Sequence, residues 1–344
     1  MIYKNIEFHN IAELIHNEDG SVSWKRVPSE VHSVMEAPDP DKVAHNFTGV
    51  ELRFVLEGES ATIRMSTYDD TPEAEARFHL YRGGIQGGWQ DQAICRSITN
   101  EPRDFVFTRA ANAERIKEIS EKTGHEWDSE VVRIIFDTGR CKIHDVTGAV
   151  RPPSKEECPK KTMLSYGSSL THGSISLDMS HSWVSVVAHN LNMDARNLGM
   201  AGSCYIEPAM ADYIASEGEK GTWDIATLEL GANVLNWPDE KIQSRTEYII
   251  NQVAGRNADK PIFVISPFYH WGEYFNKEDN APKWRKLLEE TVKKLNYPNV
   301  TYINGLDLLN GIKYLTADEV HPNIYGVQYV ADALTERIKS VIGK

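Results

Sequence analysis

The sequence of 344 residues lacks any run of about 18 apolar residues, so it predicts no membrane-spanning helix. Its first 20 residues are charged throughout and lack the apolar centre of a signal peptide, which favours a cytoplasmic location. Positive charge is also scarce, because 37 Lys and Arg stand against 50 Asp and Glu. The net charge of −13 repels phosphate backbones and anionic lipids, so we expect neither a nucleic-acid nor a membrane partner.

Cysteine is rare, and its four occurrences, Cys95, Cys141, Cys158 and Cys204, form no Cys-x-x-Cys pair. In a chain of this size such spacing favours free thiols over a disulfide framework, and it predicts no structural zinc site. The sequence also lacks a phosphate-binding loop and kinase motifs, which argues against phosphoryl transfer. We therefore expect the protein to use neither a metal nor another cofactor.

The first part of the chain, residues 1–155, is predicted to be a separate β-sandwich of jelly-roll type. Short strand-like runs follow one another with polar turns between them, and one helical insert ends at Gly124. Around "EGES" the apolar residues alternate with polar ones, as expected for half-buried strands: Leu52, Phe54, Leu56, Ala61, Ile63 and Met65. The proline-containing, charged stretch 151–161 has no periodicity and indicates a linker.

The second part, residues 161–344, alternates strand-like and helix-like runs. The apolar strand-like runs are "TMLSYG", "DARNLG", "DIATLELG", "PIFVISPF" and "VTYINGL". A final helix beginning near Asn323 has apolar residues at steps of three and four. This alternation predicts an open parallel sheet of five strands with helices on both faces.

Residues able to carry chemistry follow the strands of this sheet. Ligands of open parallel sheets bind at the carboxyl ends of the strands, so these residues are expected to share one rim. They are Gly167-Ser168-Ser169, the turn from Gly199 to Gly202, Gly231-Ala232-Asn233, the aromatic stretch "SPFYHWGEYF" and "TADEVHPN". A serine, glycine-rich turns, an amide and an Asp-x-x-His pair are the groups needed for acyl transfer through a serine.

Each of these groups has a predicted role and a structural alternative. His321 is the candidate base for a serine hydroxyl, and Asp318, three residues earlier, would orient its ring. The backbone N–H groups of Ser169 and Gly202 and the amide of Asn233 would bind the oxyanion. Alternatively, Asp318 and Asn233 cap turns, His321 is a surface histidine, and Gly202 belongs to an ordinary strand-to-helix turn.

Four blocks of the sequence resemble those of the SGNH (GDSL-type) hydrolase family. They are "GSSLT", "NLGMAG", "GANV" and "DEVHP". The resemblance implies a flavodoxin-like three-layer α/β/α domain in which Ser169 is the nucleophile, Asp318 and His321 complete the triad, and Gly202 and Asn233 serve the oxyanion. Two positions depart from the family pattern, because Ser168 and Val234 stand where it usually has aspartate. A preceding β-sandwich is similar to two subgroups, carbohydrate esterases with a jelly roll and a polyketide-tailoring acyltransferase.

Aromatic residues near the predicted rim suggest a sugar ring or an aromatic acyl group as part of the substrate. We predict substrate contacts by Trp237, His270, Trp271 and Tyr274, although packing in the protein interior is the alternative for each ring. His172 and His181 follow the serines, and the sequence leaves structural and substrate-contacting roles open for both.

The predicted function is a serine esterase that removes a small acyl group from a carbohydrate or similar hydroxylated molecule. Acetyl is the first candidate for this acyl group. The resemblance also implies an alternative in which an acyltransferase passes the acyl group to an acceptor hydroxyl, since both reactions share the acyl-enzyme. A third alternative is a non-catalytic carbohydrate-binding protein with a decayed hydrolase domain.

Overall fold

The computed structural model describes residues 1–67, 76–91, 96–275 and 280–343, so Cys95 lies outside the described residues. The chain divides into two compact units. The first comprises residues 1–28, 44–160 and 192–194, and the second comprises residues 29–43, 161–191 and 195–344. A short segment from the N-terminal part, 29–43, therefore belongs to the second unit, although a division at the linker would leave it in the first.

The first unit is built from two antiparallel sheets. Its strands are β1 (Ile2–Tyr3), β2 (Ile6–His9), β3 (Glu13–His16), β4 (Val22–Lys25), β5 (Glu51–Leu56), β6 (Ser60–Thr67), β7 (Ala76–Arg82), β8 (Ile85–Gln86), β9 (Arg96–Ile98), β10 (Arg103–Thr108), β11 (Val131–Thr138), β12 (Cys141–Thr147) and β13 (Val150–Arg151). One sheet has the order β1-β2-β5-β11-β7-β8, with β13 on β5 and β9 on β7, and the other has the order β10-β6-β12-β4-β3.

Alternation in the sequence correctly marks the faces of β5 and β6 that meet the core. Phe54 of β5 and Ile63 of β6 are fully buried in one apolar cluster with residues of both sheets. Two pairs of consecutive strands nevertheless belong to different sheets: β5 lies in one and β6 in the other, and β11 and β12 are divided in the same way. The "EGES" segment therefore crosses between the sheets and does not form a hairpin.

A buried ionic cluster crosses the other face of β5. Both terminal nitrogens of Arg53 donate to Asp194, each at 2.7 Å, and its Nε donates to Glu51 at 2.8 Å. Glu51 also accepts from Arg133, and the ring of Trp127 lies 4.7 Å and 4.2 Å from the two guanidinium carbons. Burial raises the pKa of Glu51, but the two arginines lower it by more, so the carboxylate stays charged inside the unit.

The helices up to the linker are α1 (Ser29–His32), α2 (Pro40–Ala44) and α3 (Ala113–Thr123). Short 3-10 turns lie at Trp89–Asp91, Lys155–Glu157, Met179–His181 and Ile312–Tyr314. The predicted insert is α3, and Gly124 ends it with φ 71°, a left-handed conformation that glycine adopts without strain.

The second unit contains the predicted five-stranded parallel sheet, which the structure confirms. Its strands are β14 (Thr162–Gly167), β15 (Asp194–Gly199), β16 (Ile225–Glu229), β17 (Ile262–Ile265) and β18 (Val300–Ile303), in the order β15-β14-β16-β17-β18. Its helices after the linker are α4 (Ser169–His172), α5 (Trp183–Asn190), α6 (Pro208–Glu219), α7 (Asp239–Arg256), α8 (Trp271–Tyr274), α9 (Ala281–Leu295), α10 (Gly305–Leu308) and α11 (Ile324–Ile342).

The order of the sheet decides where the strand ends meet. The first strand, β14, lies between the second, β15, and the third, β16, so the chain reverses direction across the sheet at β14. The carboxyl ends of these three strands therefore lie side by side, with Gly167 in the middle. Among the described residues, no helix has the length and apolar character that a membrane crossing would need.

Candidate active site

Ser169 is the first residue of the short helix α4, directly beyond the end of β14. Ser168 is the N-cap of this helix, and its hydroxyl accepts a hydrogen bond from the backbone of Leu170 at 3.2 Å. The tight turn requires glycine before it, because a Cβ on Gly167 would lie 2.6 Å from the carboxylate of Glu229 and closer still to the hydroxyl of Thr171. Ser168 is buried and Ser169 is half-buried, so the turn presents the second serine toward solvent.

His321 and Asp318 lie in the turn that precedes α11. Asp318 Oδ2 lies 2.7 Å from His321 Nδ1, while Oδ1 accepts from the backbone of His321 and Val320 and from the Thr316 hydroxyl. Burial raises the pKa of Asp318, but these backbone and side-chain hydrogen bonds lower it by more, so it lies well below its ordinary value. The turn thus holds a charged carboxylate against the histidine ring.

The structure brings the three predicted catalytic residues into one hydrogen-bonded chain. His321 Nε2 lies 2.8 Å from Ser169 Oγ, although the two residues are 152 positions apart in the sequence. With Nδ1 hydrogen-bonded to Asp318, the ring has its other nitrogen free to accept the hydroxyl proton. A serine, a base and an orienting carboxylate in this geometry can perform nucleophilic attack on a carbonyl carbon.

The predicted oxyanion donors lie in the turns after β15 and β16. Gly202 has φ +68°, and a Cβ on it would meet nothing within 4 Å. Its backbone conformation, rather than a close approach, is therefore what favours glycine there. Asn233 accepts the backbone N–H of Cys204 through Oδ1 at 3.1 Å, which leaves the Nδ2 amide as the group able to donate to a bound molecule.

Glu229, the last residue of β16, is a site residue that the sequence analysis missed. It is fully buried, and its Oε2 accepts from Ser168 N at 2.7 Å, from Ser168 Oγ at 2.7 Å and from Thr171 Oγ1 at 3.1 Å. Burial raises its pKa to about 7, although the hydrogen bonds oppose this shift. An acidic residue inside the apolar run "DIATLELG" was the available signal, because a buried strand position rarely carries an unpaired charge.

A pocket of about 410 Å³ lies in the second unit. Its lining includes Leu170, Leu235, Phe268, His270, Trp271 and Val320. Leu170 and Val320 are the chain neighbours of Ser169 and His321, so the segments that carry the candidate nucleophile and base both contribute to the lining. Its mostly apolar wall suits an acyl group or the face of a ring.

Two of the four predicted substrate-contacting residues line this pocket. His270 also caps α8, since its Nδ1 accepts from Gly272 at 3.3 Å. Trp237 and Tyr274 are not among the described residues that line the pocket. The ring of Trp237 packs edge-on against Tyr205 at 5.0 Å, and Tyr274 is 54% exposed.

The other histidines near the serines, and the buried cysteine, make contacts within the fold. His172 is buried, with Nδ1 3.0 Å from the carbonyl of Gly199, so it joins α4 to the end of β15. The backbone N–H of His181 donates to Asp178 Oδ1 at 2.9 Å, within a short turn. Burial raises the pKa of the Cys204 thiol, which disfavours the thiolate. Within the described residues, no three His, Cys, Asp or Glu side chains cluster as metal ligands.

Several solved structures share the fold of this chain. A salicylyl-acyltransferase from a tetracycline biosynthetic pathway is 14% identical with a TM-score of 0.75, and the match covers 98% of this chain and 95% of that one. A family two carbohydrate esterase from Cellvibrio japonicus is 12% identical with a TM-score of 0.66, over 98% and 96%. The family two carbohydrate esterase from Clostridium thermocellum, in complex with cellohexaose, is 15% identical with a TM-score of 0.62, over 98% and 99%. At these identities the likeness shows the fold alone.

A comparison with curated proteins gave no match. The model of the GDSL-like lipase/acylhydrolase family matches residues 160–339, which is more than half of the chain. This range contains the turn at Ser169, the glycine-rich turn at Gly202, Asn233 and the Asp318-x-x-His321 pair. The chain therefore belongs to the GDSL-like lipase/acylhydrolase family.

Proposed function

We propose that the protein is a serine esterase that hydrolyses a small acyl ester of a carbohydrate or similar hydroxylated molecule. Acetyl is the first candidate for the acyl group. The observation that carries the proposal is the hydrogen-bonded chain from Asp318 through His321 to Ser169, with bonds of 2.7 Å and 2.8 Å. The carbohydrate part is supported by the shared fold with two family two carbohydrate esterases.

In the proposed mechanism, His321 Nε2 accepts the proton of Ser169 Oγ as the oxygen attacks the ester carbonyl carbon. The carbonyl oxygen becomes an oxyanion and accepts hydrogen bonds from Ser169 N, Gly202 N and Asn233 Nδ2. Collapse breaks the bond to the alcohol, which leaves with the proton from His321. Water then repeats the sequence on the acyl-enzyme, releasing the acid and free Ser169.

The test is hydrolysis of a nitrophenyl acetate by Ser169→Ala beside Ser168→Ala. We expect no activity above background in the first variant, because it lacks the attacking oxygen. The second variant should keep part of the activity, because it retains Ser169 and His321. If Ser169→Ala stays active, the nucleophile is assigned wrongly, and if only Ser168→Ala is inactive, the order of the serines is reversed.

A second candidate function is acyl transfer to an acceptor hydroxyl. The pocket of about 410 Å³ favours it, because this volume lies in the range that holds drug-sized ligands and exceeds what an acetyl group needs. The shared fold with a salicylyl-acyltransferase supports the same candidate.

The two candidates are separated by a series of esters from acetyl to benzoyl, assayed with and without a polyol acceptor. An esterase releases free acid at the same rate with or without the polyol, whereas a transferase forms a new ester and prefers the larger acyl group. Trp271→Ala should lower kcat/KM for the larger acyl group, while Phe275→Ala, an exposed ring outside the lining, serves as its control. Binding of sugars with no turnover of any ester would favour the non-catalytic alternative.

A further inference from the structure

The turn that carries Ser169 is hydrogen-bonded to a buried carboxylate on the neighbouring strand. Three donors converge on a single oxygen, Oε2 of Glu229: the backbone N–H of Ser168, the hydroxyl of Ser168 and the hydroxyl of Thr171. Glu229 shows no exposed surface, and in the described part of the chain its Oε1 has no hydrogen-bond partner. A buried carboxylate with this arrangement costs stability, which is typical of groups that serve a functional site.

We infer that Glu229 is a positioning residue for the reaction of Ser169. Its carboxylate, on β16, takes the place of the aspartate that the GDSL-type motif usually has at the position of Ser168. This inference rests on the proposed function. Ser168 and Thr171 flank Ser169 on both sides, so their bonds to one oxygen fix the backbone of the nucleophile between them.

The turn needs these hydrogen bonds because α4 is short. A helix of four residues is not stable by its own hydrogen bonds, so its orientation depends on what holds its ends. Gly167 allows β14 to pass against the Glu229 carboxylate, since a Cβ there would lie 2.6 Å from Oε2. The direction of Ser169 Oγ toward His321, and of Ser169 N toward the oxyanion, depends on the turn that Glu229 holds.

The charge of Glu229 strengthens this hold. Hydrogen bonds to a carboxylate are stronger than those to a neutral acid. Burial raises the pKa of Glu229 to about 7, so the group changes charge near neutral pH. The thiol of Cys204 lies 4.0 Å from the backbone carbonyl of Glu229, and burial raises the pKa of this thiol, so it is neutral there. We therefore expect kcat to rise as Glu229 ionises.

The test compares Glu229→Leu, which removes the acceptor at similar volume, with Glu229→Gln, which keeps an acceptor oxygen without the charge. Glu217→Gln is the matched control, a half-buried carboxylate of α6 that bonds to Arg196. Titration with a phosphonate inhibitor would count the competent molecules, so that kcat refers to folded protein.

We expect Glu229→Leu to lower kcat about 100-fold with KM within threefold of the wild type, because a small misplacement of the nucleophile has this effect. Glu229→Gln should recover most of this loss, and its kcat should rise less steeply with pH across neutrality than that of the wild type. Glu217→Gln should match the wild type in both respects.

An unchanged kcat per competent molecule in Glu229→Leu would overturn the inference. If Glu229→Leu does not fold, the pair of substitutions Ser168→Ala and Thr171→Val removes both hydroxyl donors and leaves Glu229 in place. That variant should lose about tenfold in kcat, and an unchanged value would equally overturn the inference. Activity retained by Ser169→Ala would instead overturn the proposed function, and the inference with it.

Discussion

We expect the stability of the second unit to depend on pH, because it contains the buried carboxyl group of Glu229. Burial raises its pKa from the ordinary value of 4.5 to about 7, against the hydrogen bonds of Ser168 and Thr171. A group with a raised pKa in the folded state stabilises the fold fully below its unfolded pKa. This contribution is lost as the pH rises through about 7, because the folded chain must then hold a buried charge.

The substitution Glu229→Gln removes this titration. The rise of the pKa from 4.5 to about 7 corresponds to about 3 kcal/mol, most of which is lost between pH 5 and pH 8. The glutamine adds buried N–H donors that have a cost of their own, but this cost is the same at every pH. The wild type should therefore lose about 3 kcal/mol of unfolding free energy relative to the variant over this range, whatever the constant difference between them.

The assay is urea unfolding of both proteins from pH 5 to pH 8, followed by tryptophan fluorescence. Trp183, Trp223 and Trp284 are buried in the second unit and report its transition. Glu217→Gln is the control. Burial raises the pKa of Glu217, but Lys220 and Arg196 lower it by more. The stability that Glu217 contributes to the fold is therefore lost only at more acidic pH. A difference between Glu229→Gln and the wild type that stays flat from pH 5 to pH 8 would refute the reasoning.

Three further substitutions test the site and the first unit. Asp318→Asn should lower kcat by roughly 10³-fold or more, because the amide no longer fixes His321 in the accepting tautomer, and near-wild-type kinetics would contradict this role. Asn233→Ala should lower kcat/KM by about 100-fold, or about 3 kcal/mol, if its amide binds the oxyanion, and a change only in KM would argue against it. Asp194→Asn removes the carboxylate that both terminal nitrogens of buried Arg53 bond to, leaving it only Glu51, and should destabilise the first unit by about 3 kcal/mol. Calorimetry should show this as a lower melting temperature of that unit, and an unchanged one would refute it.

Local patterns predicted much of the fold. The alternation of apolar residues around Phe54 and Ile63 marked the buried faces of two strands, and both residues are fully buried. The period of three and four marked α11, whose residues Val330 and Leu334 are fully buried. These patterns depend only on which side chains share a face, so a single sequence is sufficient to find them.

The candidate site was predicted for a different reason. In a parallel sheet every strand ends at the same edge, so residues that follow separate strands must lie near one another. This rule predicts that Ser169, Asn233 and His321 share one rim. Short-range spacing then placed Asp318 within one turn of the histidine, and the structure has the two groups 2.7 Å apart.

What the sequence by itself determined is the class of each segment, the buried face of each strand and the chain positions of the chemical groups. Only the tertiary structure decided that β5 and β6 lie in different sheets, that residues 29–43 join the second unit and that Glu229 faces Ser168, 61 positions away. The physical reason is that periodicity records local exposure, whereas strand partners and buried hydrogen bonds depend on how distant segments pack.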